Sequence, residues 1–249
     1  MKKRFYISGL VLLAASFAYS AEIHDSLWDA EHSSAEVGFA ATPAQASGPF
    51  YPVKPPKETS SDLTVVHGKK ALGVEVYLLG RILDTHGMPL AHAEVEIWQA
   101  CQAGSYNHPR DTNPAPRDPN FEYYARTVTD ASGNYLFKTI IPGPYPADDT
   151  WMRPSHIHFK VSSSAASRPF ITQLYFDGNS FPNQVLSVVR GKQITGLVLN
   201  KLNELDLMLR EVSEPGHSKL IVPFSKTEGF DAPVGLFNIY LNTQTNSEL

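Results

Sequence analysis

The residues Arg153-Pro154-Ser155-His156-Ile157-His158-Phe159 combine types and spacing that could do chemistry. On a strand, side chains alternate between faces. His156 and His158 then point to one side, with Cα atoms ~6.6 Å apart, twice the rise per residue. Two imidazoles at that separation can converge on one ion at ~2.0–2.1 Å from each nitrogen. Ile157, Phe159 and Val161 take the opposite face and read as core. Histidines are also common on exposed strands, so the pair alone leaves both readings open. Two tyrosines add to it. Tyr106 follows Trp98-Gln99-Ala100 in a long loop, and Tyr145 stands between Pro144 and Pro146, which fix the backbone and aim the ring. A phenol ionises near pH ~10 and ligates only where a cation keeps it deprotonated. Anionic oxygen together with imidazole suits ferric iron better than zinc or cuprous copper. Each tyrosine by itself is also explained as a ring packed over the edge of a sheet.

The elements that must position these groups are mostly strands. Val74 to Leu83 is β-branched and aliphatic and ends at the turn Asp84-Thr85-His86-Gly87. Ala93, Val95 and Ile97 alternate with Glu94, Glu96 and Trp98, the period of a half-buried strand. Further strands are expected over Ala125 to Thr129, Asn134 to Ile140, Ser155 to Val161, Phe170 to Phe176, Leu220 to Phe224 and Leu236 to Asn242. Between them, Cys101 to Tyr124 is long and proline-punctuated, as functional loops often are. Lys192 to Val212 carries Ile194, Leu197, Val198, Leu202, Leu205, Met208 and Leu209 at helical spacing, with Gly196 against it. Short strands separated by turns indicate an all-β chain: a single β-sandwich over 63–249 with long active-site loops and one or two helical insertions.

Residues 1–20 differ in kind. Lys2, Lys3 and Arg4 precede a short apolar run and the small residues Ala18 and Ser20, the layout of a secretory signal. The run is too short to span a bilayer, which needs ~20 apolar residues. A periplasmic or secreted protein is therefore expected, with no membrane span once the signal is removed. Residues 21–62 read as an extended segment and linker. The formal charge of −4 and the absence of a basic stripe argue against nucleic acid. Cys101 is the single cysteine, which excludes an internal disulfide and cysteine-based zinc ligation; a thiol nucleophile is open to it in principle, and a small buried or half-buried filler is the favoured reading.

The ordered set G-S-Y after E-I-W-Q-A, P-G-P-Y-P, W-x-R-P-x-H-I-H-F and T-Q-L-Y-F, with T-P-x-Q-x-x-G-P-F-Y upstream at Thr42 to Tyr51, resembles the intradiol ring-cleavage dioxygenases, protocatechuate 3,4-dioxygenase type. It spans roughly Thr42 to Asn242. The resemblance implies that Tyr106, Tyr145, His156 and His158 hold a non-haem Fe(III), with a solvent hydroxide as the fifth ligand. It also implies that Arg153 stabilises negative charge beside the substrate, that Tyr145 is displaced by it and accepts a proton, and that Gln173, Gly48, Pro49 and Phe50 border the pocket. The implied reaction takes a catechol and O2 to a muconate-type diacid; the implied protein is an oxidoreductase and a possible homo-oligomer.

The chain departs from that pattern on one wall. Ala147 stands where protocatechuate-type members carry tryptophan, and the stretch from Tyr145 to Arg153 is two residues shorter. The other main branch carries a long helical amino-terminal domain, for which the stretch from Ala21 to Thr42 leaves no room. Two further classes compete. A non-catalytic secreted β-sandwich, transthyretin-like, explains Gly80 to Ile97 but gives no reason for the tyrosines and histidines. A ferrous oxygenase needs two histidines and a carboxylate, which Asp148 or Asp149 would have to supply.

Overall fold

The computed structural model describes residues 38–213 and 216–243; the expected signal at 1–20 lies outside them. Strands dominate and helices are few. The His156–Ser162 strand is central to a five-stranded sheet ordered Ile221–Val222, Phe170–Phe176, His156–Ser162, Glu94–Trp98, Tyr124–Val128. In the second sheet Glu75–Asp84 pairs with Asn134–Ile140, Val234–Leu236 and Ile239–Leu241, and Phe224–Ser225 extends it beyond Val234–Leu236.

Alternation assigns the faces of the first sheet. Val95, Ile97, Ile157, Phe159, Val161 and Leu174 are fully buried and join Leu78, Ile82, Phe137 and Ile239 of the second sheet in one apolar core. Truncating Phe159 to alanine there would cost about 3–5 kcal/mol. The other face is where the expectation of a half-buried strand fails. Glu96 and Trp98 are 3 % and 1 % exposed, because loops and the segment around Phe50 and Tyr51 cover that face with a second, aromatic cluster.

The helical expectation over Lys192 to Val212 also needs correction. Lys192–Thr195 is a strand paired with Val185–Val189, and helix runs only over Gly196–Leu205 and Leu207–Arg210. The helix begins at Gly196, where only glycine fits, since a Cβ would lie 2.0 Å from the Gly178 carbonyl oxygen. Asp206 breaks it in extended conformation, its carboxylate accepting the Leu209 N–H. Two short hairpins were not legible either: Val65–Val66 with Lys69–Lys70, and Tyr145–Pro146 with Met152–Arg153. Among the described residues no helix is long and apolar enough to cross a membrane.

Candidate metal centre

His156 and His158 stand on the covered face of their sheet, 2 % and 1 % exposed, so they are not surface histidines. Strand register sets their neighbours: His158 lies between Trp98 and Gln173, and His156 opposite Tyr175. Trp98 stacks on the His158 ring at 4.8 Å between centroids and 5° between planes. The Nδ1 of His156 is turned to the Pro154 carbonyl at 2.7 Å. That contact orients the ring and leaves Nε2 as its free nitrogen.

The segments that lead into the two tyrosines are pressed together backbone to backbone. A Cβ on Gly104, whose φ is +81°, would lie 2.5 Å from the Pro144 carbonyl oxygen. One on Gly143 would lie 2.3 Å from that of Gln102. The Gly143 N–H donates to Cys101 O at 3.0 Å, and Asp111 accepts from the Tyr106 N–H at 2.6 Å. Cys101 is buried and free, with Sγ 3.3 Å from Ser105 Oγ, in keeping with a filler.

These constraints close a ring of four side chains. Centroid separations are 5.4 Å for Tyr106–Tyr145, 5.6 Å for Tyr145–His156, 4.9 Å for His156–His158 and 6.4 Å for Tyr106–His158. Tyr106 Oη, His156 Nε2 and His158 Nδ1 are buried without a hydrogen-bond partner. Each such atom costs about 1–3 kcal/mol if it stays unsatisfied. Burial, with Arg153 nearby, holds both imidazoles well below their ordinary pKa, so they are neutral and able to ligate. Burial also pushes the Tyr106 phenol well above its usual value, with Tyr145 adding to the shift; Tyr145 is raised by burial against the opposing pull of Arg153. Two phenols that resist ionisation, beside two neutral imidazoles with unused nitrogens, fit a cation of high charge. Among the described residues no group of three His, Cys, Asp or Glu could hold a metal. Asp148 and Asp149, the two carboxylates a ferrous site would have to draw on, are both exposed, and Asp148 Oδ1 accepts from Thr150 and Trp151.

A cavity of about 610 Å³ opens beside the ring. Tyr145, Arg153, Gln173, Gly48, Pro49 and Phe50 line it, whereas Tyr106, His156 and His158 are not among its lining residues. Phe50 stacks on Tyr106 at 4.5 Å, and a Cβ on Gly48 (φ +63°) would come 3.3 Å from His158 Cε1. The segment therefore borders the pocket of its own chain. It is tied down at both ends. Gln45 bonds to Ile171, Met208 and Tyr175, Ala46 O accepts from Gln173, and the Tyr51 hydroxyl donates to Glu96 at 2.7 Å.

Arg153 is 5 % exposed. Its Nε donates to Asp206 Oδ2 at 2.8 Å and its Nη2 to Gln173 Oε1 and Tyr175 Oη at 2.8 and 3.1 Å. Burial opposes its charge, but Tyr175, Tyr145 and Asp206 outweigh that and raise its pKa. Gln173 is thus spent on holding Arg153 and Ala46 as well as lining the cavity. Sequence reasoning missed Asp206, which lies far along the chain in a stretch read as helix. It also missed the buried group of Glu96, Tyr51, Tyr124 and Lys160, in which Glu96 accepts from both phenols and lies 2.6 Å from Lys160. The parity of Glu96 with Trp98, opposite Val95 and Ile97, was the signal available for it.

Comparison with known proteins agrees with this chemistry. A family model described as "Dioxygenase" matches residues 46–209. The beta chain of protocatechuate 3,4-dioxygenase from Burkholderia cepacia is 43% identical over 123 residues, 47% of this chain and 52% of that one. Catechol 1,2-dioxygenase 2 from Acinetobacter lwoffii is 30% identical over 185 residues, 69% of this chain and 64% of that one. The matched part spans about half the length of the first of these relatives and under two thirds of the second. In fold, the chain is similar to an intradiol ring-cleavage dioxygenase from Tetranychus urticae, with a TM-score of 0.58 at 23% identity, covering 82% of this chain and 95% of that one. With two tyrosines and two histidines converging inside the matched segment, the chain belongs to the intradiol ring-cleavage dioxygenase family.

Proposed function

We propose that this protein is a non-haem ferric dioxygenase that cleaves a catechol between its two hydroxyl-bearing carbons. The observation that carries the proposal is the closed ring of Tyr106, Tyr145, His156 and His158, with three of its polar atoms buried and unpartnered. Those four side chains would hold Fe(III). When bound, ferric iron supplies the charge that keeps phenols deprotonated and draws electron density from a chelating diol.

The remaining steps fall to the chain's own residues. Tyr145 lines the cavity and Tyr106 does not, so Tyr145 Oη is the phenol placed to take a proton from an incoming diol. Arg153 lines the same cavity, and among the described residues its Nη1 makes no hydrogen bond. That edge of a buried, fixed cation is available to negative charge that develops as the ring loses aromaticity. Phe50, stacked on Tyr106, and Gly48, close to His158, keep water from that side. Both atoms of O2 end in the product, a muconate-type diacid. The reading includes a single β-sandwich over 63–249, a signal at 1–20 and a periplasmic or secreted location. Family membership gives no support to a non-catalytic module.

The test is product analysis. Protein supplied with iron, catechol or protocatechuate, and oxygen is expected to give the muconate-type diacid and to be reddish before substrate is added. A yellow semialdehyde product, or an iron-replete protein without colour, would overturn the proposal.

A further inference from the structure

The hairpin that carries Tyr145 and Arg153 also says what kind of catechol fits. Tyr145 pairs with Arg153 and Pro146 with Met152, and Ala147 N–H donates to Trp151 O at 2.8 Å, so the pairing continues one step outward. With alternation of faces, Tyr145 and Ala147 share a side, as do Arg153 and Trp151 across from them. All four line the cavity. Its inner part is bounded by the phenol and the guanidinium. Its outer part is bounded by a methyl group at Ala147 and an indole at Trp151, whose ring lies 5.2 Å from the Arg153 guanidinium carbon.

Size decides what this outer part is for. At about 610 Å³ the cavity falls in the range of ~300–1,000 Å³ that encloses drug-sized ligands. A catechol is one six-membered ring with two hydroxyls and leaves much of that space to water. Charge does not discriminate: Arg110, Arg153 and Arg190 are matched in number by Asp111, Asp148 and Asp149 in the same lining. Shape and the flat indole face do.

We propose that Ala147 and Trp151 form a specificity subsite for a planar substituent, so that the preferred substrate is a catechol extended by a conjugated or aryl group. The proposal rests on the ring-cleavage reading above. With the diol at the tyrosine-histidine end, the extension passes over the methyl of Ala147 and lies against the Trp151 ring. A large side chain at 147 fills the path; loss of the ring at 151 removes the surface it packs on.

The experiment compares catechol with 3,4-dihydroxycinnamate on iron-loaded wild type, Ala147→Trp and Trp151→Ala. It records dissociation constants without oxygen and kcat/KM with it. Wild type is expected to bind and turn over the cinnamate at least tenfold better than catechol. Each variant is expected to reduce that preference at least fivefold, mainly through KM. Ala147→Leu serves in place of Ala147→Trp if the larger side chain prevents folding. A wild type that prefers catechol, or variants that weaken both ligands by the same factor, would overturn the subsite. Oxygen-free binding that discriminates as expected without ring cleavage of either compound would sink the dioxygenase reading and keep the subsite.

Discussion

Asp206→Ala gives a severe test of how Arg153 is held. Asp206 is fully buried and Arg153 nearly so, with Nε and Oδ2 2.8 Å apart. Removing the carboxylate leaves a buried guanidinium with, among the described residues, the neutral acceptors Gln173 and Tyr175 alone. Breaking a buried pair from one side costs about 3–5 kcal/mol. The other oxygen, Oδ1, accepts the Leu209 N–H at 2.9 Å, and losing such a cap adds about 1 kcal/mol. The two contacts use different oxygens, so the expected loss is about 4–6 kcal/mol, against a total domain stability of about 5–15 kcal/mol. Urea unfolding reads it as a lower midpoint at unchanged slope. Asp206→Asn keeps an oxygen for the cap and should recover only that smaller part. The double variant Arg153→Met with Asp206→Leu removes both charges and should be more stable than Asp206→Ala, though inactive. An alanine variant that loses less than about 1 kcal/mol, or a double variant no more stable than it, would refute the account.

Gly104→Ala places a methyl 2.5 Å from the Pro144 carbonyl oxygen at a φ of +81°; it should cost at least about 2 kcal/mol and weaken iron binding, measured by thermal unfolding and metal content. Tyr145→Phe should retain the fold, shift the visible band of the iron-loaded protein and lower kcat by about 10²–10⁴-fold if its oxygen accepts a proton; stopped-flow turnover with catechol checks the rate. Lys138 lies 3.0 Å from Glu75 and 3.2 Å from Asp231. Burial would raise the Glu75 carboxyl pKa, but Lys138 and Lys70 outweigh it and hold it low; the Tyr77 hydroxyl and Lys138 do the same for Asp231. Their contribution is therefore present above the ordinary carboxylate range and lost as pH falls through the lowered values. Lys138→Met should flatten that acid limb by about 0.5–1 kcal/mol, the worth of a partly exposed pair, in unfolding midpoints taken from pH 7 downward.

The chemistry was legible where residue type is restricted. His156, His158, Tyr106 and Tyr145, named as a set through the family resemblance, do converge in one ring, and the alternation of Ile157, Phe159 and Val161 told which face the histidines would leave. The same parity rule applied to Glu94–Trp98 gave the right strand but the wrong environment. It treats the face opposite the core as solvent, and here that face is covered by chain from Gly48 to Tyr51 that forms no strand of its own. Glu96, which alternation puts on the face opposite the core, is the buried acceptor of two phenols.

What stayed hidden shares a physical cause. Asp206 reaches Arg153 across 53 positions of sequence, and any acidic residue on any element passing that point could have done the same, so no local pattern marks it. The Gly104 and Gly143 contacts are equally silent: each glycine reads as a turn former, and only the approach of two backbones shows why neither can carry a side chain. Local patterning reports what a residue can do and which way it faces. Convergence of the two tyrosine loops depends instead on backbone packing between segments whose partners the pattern does not name. That is why Gly104→Ala, a change of one methyl where the two backbones meet, is expected to disturb iron binding.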